Sequence, residues 1–317
     1  MNISDDWLIM KRPSIAIFAF NRPKSLQRLL DSLAECPEFA ESDVNIFIDG
    51  PRSRAESVLV EQTVSVASQN PLWTVVASKE NLGLRRSISA GVSCVCSRAG
   101  HVIVLEDDLI VSPSTLEYFI RGLDLYKDES RVWGICAYMF DNSALSKRGD
   151  CFFLPYSHPW GWATWQRAWS KFDLDREPVR QELLNSPSFR RSFDAFGIFP
   201  LTDLLKLAQK GLVDSWYIQW HRTIIEAGGV CLFPSRSYTE NSGVSGGGTH
   251  ASRWNLYGMF KTKFKSLSGG ELLMPAKVEI EFLAIDQMRF GREIFLLKVT
   301  SFAGAIKRRL KRRLGFV

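Results

Sequence analysis

The sequence predicts an α/β protein with a mostly parallel sheet and helices on both of its faces. Short apolar runs rich in β-branched residues alternate, along the first third of the chain, with segments whose leucines recur at helical spacing. Strands and helices in such alternation are typical of a parallel sheet that is covered on both sides. The 317 residues are 45% hydrophobic and 12% aromatic, which is enough to build a large core.

Four strands and the helices between them make up the first part of this sheet. Strands are predicted at 14–20, 44–48, 73–77 and 102–105. The first helix begins at Pro23, and its apolar stripe consists of Leu26, Leu29, Leu30 and Leu33. Further helices are predicted at 54–69 and 84–98, and another is expected to begin near Pro113.

The positive charge of the chain is concentrated at its end. The net charge is +6, and the last eleven residues hold no acid and six cations: Lys307, Arg308, Arg309, Lys311, Arg312 and Arg313. Without those six, 34 cations balance 34 anions. A neutral body lacks the basic surface that nucleic acids require, so we predict no nucleic-acid partner.

Several features predict a cytoplasmic protein. The first residues carry two early acids and no apolar stretch of the length that a secretory signal needs. No uncharged apolar run reaches the 18 residues or so of a membrane span. The six cysteines are scattered through apolar segments instead of forming a dense framework, so we expect reduced thiols.

Polar residues follow each of the four predicted strands. They occur in "FNRP" (20–23), "DGPRS" (49–53), "KENLGLRRS" (79–87) and "EDD" (106–108). In open parallel sheets, ligands bind beyond the carboxyl ends of the strands, where helix N-termini also offer N–H groups to anions. We therefore expect a ligand site that these four loops form together.

Three consecutive carboxylates, Glu106, Asp107 and Asp108, end the fourth strand. Hard divalent cations such as Mg2+ and Mn2+ prefer oxygen ligands and usually keep open positions for phosphate oxygens. The loop therefore predicts a metal that bridges a diphosphate. The alternative is that one carboxylate caps the helix near Pro113 and that the others are solvated.

The ordered set of motifs resembles a known family. "FNRPKSLQRLLDSL", "FIDGPRS", "NLGLRRSISAGV" and "VIVLEDDLIVSPSTLEYF" look like the nucleotide-sugar-binding half of glycosyltransferases with the GT-A fold. They are most similar to the group around N-acetylglucosaminyltransferase I, which uses EDD where many relatives have DxD. The resemblance covers residues from about 13 to 250.

The resemblance implies a domain organisation and a set of donor-binding residues. A GT-A domain would span 1–285, with a nucleotide-sugar-binding half at 13–112 and an acceptor-side half at 113–285. Asp108 would bind the Mn2+ or Mg2+ ion. The nucleoside of the donor would be bound by Asn21, Arg22, Pro23 and Asp49. The ribose and the sugar would be bound by Asn81 and Gly83, and the phosphates by Arg85 or Arg86. Glu106 and Asp107 would bind hydroxyl groups of the ribose or the sugar. The alternative for the three arginines is solvated charge on a helix face.

The second half of the chain is rich in tryptophan. "SHPWGWATWQRAWSKFD" (157–173) places four tryptophans between 160 and 169. Aromatic planes stack on sugar rings, and we predict that Trp160, Gly161 and Trp162 face the acceptor. Trp165 and Trp169 are four residues apart on an expected helix, where a core position is the more usual one. His158 is a weaker candidate for the site.

Asp214 is the predicted general base. Transfer with inversion requires a base that takes the proton of the attacking hydroxyl. "VDSWYIQW" resembles the DDW-like element that supplies this base in the relatives, although Ser215 stands here in place of a second acid. The alternative is that Asp214 caps the helix that follows it.

Two further segments carry predictions. Three glycines at 246–248 predict a loop that can approach a ligand closely, and His250, which follows it, is a candidate for the metal or diphosphate. Residues 286–317 alternate apolar residues with cations, as in a basic amphipathic helix on an anionic membrane surface. The alternative is a docked helix with a solvated basic end.

These observations together predict an inverting, metal-dependent glycosyltransferase at the inner face of the cytoplasmic membrane. The donor would be a nucleoside-diphosphate sugar, with UDP preferred from the resemblance, and the acceptor a glycan or lipid-linked glycan of a bacterial surface polysaccharide or lipopolysaccharide. A sugar nucleotidyltransferase is one alternative, but "FAFNRPK" (18–24) lacks the glycines of a phosphate loop. A non-catalytic nucleotide- or glycan-binding module is the other.

Overall fold

The structure, a computed structural model, describes residues 12–140, 145, 150–242 and 272–289. Its first half alternates strands and helices in the predicted order. The elements are β1 (Ser14–Ala19), α1 (Pro23–Ala34), a 3-10 turn (Pro37–Glu41), β2 (Asp43–Ile48), α2 (Arg54–Ala67), β3 (Thr74–Ala77), α3 (Leu84–Ala99) and β4 (His101–Glu106). The prediction for these strands and helices is confirmed, with boundaries that differ by one or two residues.

The second half contains shorter elements. They are β5 (Leu109–Val111), α4 (Thr115–Leu125), β6 (Val132–Cys136), β7 (Cys151–Leu154), β8 (Trp162–Trp165), α5 (Gln166–Trp169), α6 (Gln181–Asn185), α7 (Pro187–Phe193), α8 (Leu201–Gln209), α9 (Trp216–Glu226), β9 (Val230–Pro234), β10 (Thr239–Asn241) and α10 (Phe282–Arg289). The helix expected near Pro113 is α4.

Eight strands form one mixed sheet in the order β3-β2-β1-β4-β8-β6-β9-β7. The first four are parallel to one another, and β6 pairs in parallel with β9. Strands β8 and β7 run antiparallel to their neighbours. A separate two-stranded sheet pairs β10 with β5. Strand β5 directly follows Glu106, Asp107 and Asp108, which we call the acidic loop. The predicted α/β class with a mostly parallel, helix-covered sheet is confirmed.

The core lies on both faces of the large sheet. Side chains of a strand alternate between its faces, and Ile15 and Ile17 of β1 accordingly pack in one cluster while Ala16 and Phe18 pack in the other. The leucine stripe of α1 is buried as predicted. Burial on both faces explains why these strands read as continuous apolar runs.

The tryptophan-rich segment differs from its prediction. Trp165 does not lie on a helix: it ends β8, which inserts antiparallel between β4 and β6. All four residues of β8 are buried, so both of its faces carry apolar or neutral side chains and no alternation marks it as a strand. Trp169 ends the short helix α5 and is buried, as expected for a core residue.

Gly161 directly precedes β8, and its close packing can be tested by substitution. Its φ is +79°, and an added Cβ would lie 2.9 Å from Thr239 Cγ2. Gly100 has the same φ of +79° with no atom within 4 Å of an added Cβ. We expect Gly161→Ala to lower the free energy of unfolding by about 2–4 kcal/mol, and Gly100→Ala by about 1 kcal/mol, because only the first adds a steric clash to the backbone cost. Urea unfolding measures both, and equal losses would contradict the close packing.

His221 is fully buried on α9. Its Nε2–H donates to the Phe193 carbonyl at 2.9 Å, and its Nδ1 lies 3.3 Å from Ser157 Oγ. A carbonyl can only accept, so Nε2 carries a proton in this arrangement. Burial lowers the pKa of His221 to about 4.

This buried histidine predicts acid sensitivity. The unfolded chain takes up a proton on histidine near pH 6.5, while folded His221 does so only near pH 4, so stability falls as the pH drops through that interval. Between pH 7 and pH 5 the loss from His221 is about 2 kcal/mol. We expect His221→Gln to show a correspondingly smaller drop between these pH values in urea unfolding. An equal drop in both proteins would show that His221 does not contribute.

The end of the described chain packs on the domain. Helix α10 crosses the predicted boundary at 285, and Ala284, Ile285 and Met288 are buried in the core cluster that also contains Leu154. Residues 290–317, and with them most of the predicted membrane-association segment, lie outside the described residues. Among the helices that the structure describes, none is long and apolar enough to cross a membrane.

Candidate functional site

The acidic loop lies where β4 ends. The Asp107 backbone N–H donates to the Phe18 carbonyl at 2.9 Å, which extends the pairing of β4 with β1 by one residue. The Asp107 carboxylate is buried and accepts the Phe20 backbone N–H at 3.3 Å. The loop is therefore fixed to the end of β1, and we call the region where β1, β2 and β4 end the carboxyl edge.

The three acids of this loop influence one another electrostatically. Burial, opposed by Arg22 and reinforced by Asp108, raises the pKa of Asp107 to about 7. Burial and the carboxylates of Asp108 and Asp107 raise the pKa of Glu106 well above its usual range. Helix α4 has Ser114 as its N-cap residue and no side-chain capping bond. The capping alternative for these carboxylates is therefore wrong.

Arg22, predicted to contact the nucleoside, binds the acidic loop in this structure. It is the N-cap residue of α1, and its Nη1 lies 3.2 Å from Asp108 Oδ2 and 3.4 Å from Asp107 Oδ1. One guanidinium thus serves two carboxylates, with a third next to them. The raised pKa values of Glu106 and Asp107 show that this arginine does not fully compensate their burial and mutual repulsion, so a further cation beside them would favour their charged forms.

A segment from late in the chain also contacts Asp108. Asn241 Nδ2 donates to Asp108 Oδ1 at 3.3 Å, and the backbone N–H and hydroxyl of Ser242 donate to the Asp108 carbonyl at 2.7 and 2.9 Å. Pairing of β10 with β5 brings these residues to the carboxyl edge. Both oxygens of the Asp108 carboxylate are therefore oriented by side chains that come from two distant segments.

Asp49 anchors the loop that precedes α3. Its carboxylate is 7% exposed and accepts the backbone N–H groups of Leu82 and Gly83 at 2.7 and 2.9 Å and the side chain of Asn81 at 3.0 Å. A carboxylate with this many donors has little capacity left for a ligand. Asp49 and Asn81, both predicted to contact the donor, bind each other and fix the loop before α3 in this structure.

The first loop is held by α2. Asn21 Nδ2 donates to Glu56 Oε1 at 3.3 Å, and Glu56 also accepts the Arg52 backbone N–H at 2.9 Å. The Arg52 guanidinium lies 5.0 Å from the centroid of the Phe20 ring. Pro23 occupies the first turn of α1, where its missing N–H costs nothing.

Asp214 pairs with Arg85 at the start of α3. Arg85 Nε lies 3.4 Å from Asp214 Oδ1, and Arg85 Nη2 lies 3.0 Å from Asp175 Oδ1. The Asp214 side chain is 67% exposed, and an added Cβ on Gly83 would lie 3.7 Å from its Oδ2. Ser215, not Asp214, is the N-cap residue of α9. The capping alternative for Asp214 is wrong, and its carboxylate faces solvent beside the loop that Asp49 holds.

Arg86, the other arginine predicted to bind the phosphates, is exposed on α3.

The predicted acceptor residues separate into two groups. Trp160 is partly buried, and its carbonyl accepts the Thr239 hydroxyl at 2.7 Å. Gly161 packs within reach of Leu105, the residue before Glu106. Trp162 is 2% exposed and stacks on Trp216 with ring centroids 5.2 Å apart. It therefore belongs to the core, and the expectation that its ring faces an acceptor is wrong.

Of the two histidines proposed for the site, His158 lies within the described residues and His250 does not. His158 is buried and stacks on Tyr138 with centroids 4.5 Å apart, and burial lowers its pKa to about 3. It is a neutral core residue beneath Trp160. His250 and the glycines at 246–248 lie outside the described residues.

The donor chemistry of the acidic loop fits a divalent cation. Within the described ranges, no three His, Cys, Asp or Glu side chains converge to form a metal site. Mg2+ and Mn2+ are usually held by one or two carboxylates together with substrate phosphates and water. Asp108 is the more exposed of the two aspartates that Arg22 binds, at 18% against 7%, and we identify it as the carboxylate able to contribute in this way.

Sequence reasoning missed three residues of this site. Glu56, Asn241 and Asp175 each bind a predicted site residue. Glu56 had a local signal, because an acid in the first turn of a helix beside a ligand loop is in position to bind N–H donors. Asn241 and Asp175 had none, since their partners lie 133 and 90 positions away in the sequence.

Comparison with known proteins identifies a family. The profile of the family described as Glycosyl transferase family 2 matches residues 14–185. This range contains β1 to β4, the acidic loop and Arg85, and it is more than half of the 317 residues. No curated protein sequence matches significantly.

Two solved structures share a general likeness with the chain. The mannosyltransferase PcManGT from Pyrobaculum calidifontis, in complex with GDP-Man and Mn2+, gives a TM-score of 0.39 at 12% identity, over 68% of this chain and 69% of its own. GalNAc-T7 with UDP, GalNAc and Mn2+ gives 0.44 at 10% identity, over 71% of this chain and 42% of its own. The chain thus spans less than half of the second protein.

The family match sets aside two of the three predicted functions. A sugar nucleotidyltransferase and a non-catalytic binding module were the alternatives to a transferase. The narrower resemblance to the group around N-acetylglucosaminyltransferase I stays a prediction. With this match over β1 to β4 and the acidic loop at the end of β4, the chain belongs to glycosyl transferase family 2 and is a glycosyltransferase.

Proposed function

We propose that the protein transfers a hexose or N-acetylhexosamine, with inversion, from a nucleoside-diphosphate sugar to a hydroxyl group of a glycan or lipid-linked glycan. One observation carries this proposal. The site presents two separate accessible carboxylates, Asp108 on the acidic loop and Asp214 before α9, and each is bound by its own arginine. Metal-dependent transfer with inversion uses one carboxylate site for the metal that binds the leaving diphosphate and another carboxylate as the base for the attacking hydroxyl.

Asp108 is proposed to hold Mn2+ or Mg2+. The metal, when bound, supplies positive charge that stabilises the diphosphate as it leaves. On the side of the protein, Asn241 orients one oxygen of Asp108 before any ligand arrives. Preorganisation of this kind lowers the cost of assembling the site when donor binds.

Asp214 is proposed to be the general base. The acceptor oxygen forms the new bond to the anomeric carbon, the bond from that carbon to the diphosphate breaks, and the hydroxyl proton passes to an Asp214 oxygen. Arg85 Nε lies 3.4 Å from Asp214 Oδ1 and helps to orient the carboxylate. Because one displacement suffices, no residue of the protein needs to form a covalent intermediate.

The remaining parts of the proposal concern substrates and location. UDP is the proposed nucleotide, from the resemblance to the N-acetylglucosaminyltransferase I group. Trp160, partly buried at the carboxyl edge, is the proposed stacking surface for the acceptor. The six cations of the final eleven residues support contact with an anionic membrane at its cytoplasmic face, and a bacterial surface polysaccharide or lipopolysaccharide would place the acceptor there.

A nucleotide panel tests the proposal. Thermal unfolding of the wild type would be followed with UDP, GDP and CDP and their common sugar conjugates, each with Mn2+, Mg2+ or EDTA. A ligand that binds only the folded state raises its apparent stability. We expect UDP and a UDP-sugar to raise Tm only with a metal present. Stabilisation by GDP or CDP instead would replace the proposed donor, and no stabilisation of a folded protein by any nucleotide would overturn the proposal.

A further inference from the structure

Arg22 occupies the carboxylate that a donor-bound metal would require. Its Nη1 lies 3.2 Å from Asp108 Oδ2, and its side chain is 27% exposed. Asn241 holds the other oxygen, Oδ1, through a neutral amide at 3.3 Å. A cation that approaches Asp108 therefore finds Oδ1 bound by the neutral amide of Asn241 and Oδ2 bound by the positively charged guanidinium of Arg22.

The contacts of Asn241 and Arg22 with Asp108 differ in whether they are compatible with a bound metal. An amide that donates to a metal-bound carboxylate is compatible with coordination, and such bonds commonly orient metal ligands. A guanidinium at the same oxygen repels the metal and competes for its lone pairs. Asn241 is thus suited to remain on Asp108 when a metal binds, whereas Arg22 is not.

Arg22 keeps Asp107 as a neighbour, at 3.4 Å from its Nη1, when a metal takes Asp108, and a diphosphate would supply a second partner. Guanidinium groups bind phosphate oxygens with two parallel hydrogen bonds, at least as well as they bind carboxylates. Arg22 begins α1 at the carboxyl edge, where the positive end of the helix dipole also favours an anion. A diphosphate that arrives with its metal would therefore replace the carboxylate partner that Arg22 loses.

We propose that Arg22 is an exchangeable partner of Asp108, which yields the carboxylate to the metal and turns to the diphosphate of the donor. The proposal rests on the proposed function, in which Asp108 holds the metal. It makes Arg22 a positioning residue that couples two ligands. Arg22 opposes metal alone and favours metal with diphosphate, so each ligand raises the affinity of the other.

The coupling can be measured without sugar transfer. Binding of Mn2+ to the full chain would be followed by the loss of its free-ion electron paramagnetic resonance signal, first with Mn2+ alone and then with preformed Mn2+–pyrophosphate. For Arg22→Gln we expect Mn2+ alone to bind about fivefold more tightly, because a competing ion pair is removed. We expect Mn2+–pyrophosphate to bind about tenfold more weakly, because a charge-assisted phosphate contact is lost.

Arg98→Gln is the matched control. Arg98 also pairs with an aspartate, Asp43, at 2.6 Å, but at the amino-terminal end of β2, on the opposite side of the sheet. Its removal is expected to change neither affinity. Arg22→Lys keeps the charge at the acidic loop if Arg22→Gln does not fold, and it is expected to shift both affinities in the same directions by smaller factors.

The outcomes separate the exchange from the proposed function. Opposite shifts of the two affinities in a folded Arg22 variant support the exchange. If Mn2+ alone binds the variant no more tightly than the wild type, the exchange is overturned while the metal site at Asp108 stands. If the wild type binds Mn2+ neither alone nor with pyrophosphate, both the exchange and the metal-dependent donor site are overturned.

Discussion

Replacing Asp108 with asparagine is expected to abolish the metal-dependent binding of nucleotide and to lower kcat/KM about 10³-fold. Asparagine has nearly the same shape, so Arg22 and Asn241 lose a charged partner but the loop keeps its packing. The side chain can no longer offer a negative oxygen to Mn2+ or Mg2+. The rise in Tm that a nucleoside diphosphate produces with Mn2+ is therefore expected to vanish, while the variant without ligand unfolds close to the wild-type temperature.

A second aspartate provides the control for Asp108. Asp43 also accepts an arginine but lies at the opposite edge of the sheet, where it pairs with Arg98. Asp43→Asn is expected to retain nucleotide binding and transfer. If Asp108→Asn still binds nucleotide in a metal-dependent way, the metal lies elsewhere, and His250 would then become the first residue to replace.

The location of Asp108 was predictable from the sequence, whereas its partners were not. An apolar strand that ends in three carboxylates, after three earlier strands each followed by a polar loop, places the acids at the carboxyl edge by the rules of parallel sheets. Arg22 lies 86 positions away and Asn241 lies 133 positions away. No periodicity or local motif connects residues at such distances, so their contacts required the fold.

Asp49 shows a limit of reasoning by resemblance. An acid after the second strand was expected at the nucleoside, and it does lie at the carboxyl edge. Its oxygens are directed to the backbone of Leu82 and Gly83, because the loop before α3 has N–H groups that no helix satisfies. The position was therefore correct, and the unpaired backbone donors nearby determine what the carboxylate binds.

The predictions for the tryptophan-rich segment, a helix through Trp165 and an acceptor-facing Trp162, were wrong for a different reason. A run such as "WATW" (162–165) is buried on both sides, so the alternation that distinguishes a half-buried strand is missing. Tryptophans four residues apart then favoured a helix. The antiparallel insertion of β8 between β4 and β6 places Trp162 in the core and makes Trp165, whose core position was predicted, part of a strand.

Asp214→Asn is expected to lower kcat by about 10²- to 10⁴-fold, the contribution of a general base, and to leave donor binding unchanged. Asp214 lies beside Gly83 and is well exposed, so its neutral analogue is not expected to alter the fold. Asp175→Asn is a matched control, because Asp175 binds the same Arg85 and its side chain is 84% exposed. We expect Asp175→Asn to keep kcat within about threefold of the wild type, since a surface ion pair contributes little.

The comparison of the two aspartates separates catalysis from local electrostatics. If both variants lose activity equally, the effect belongs to Arg85, which each carboxylate helps to hold. If Asp214→Asn transfers sugar at the wild-type rate, Asp214 is not the base. A loss confined to Asp214→Asn, together with a donor Kd that does not change, would leave proton removal from the acceptor as the step that this carboxylate performs.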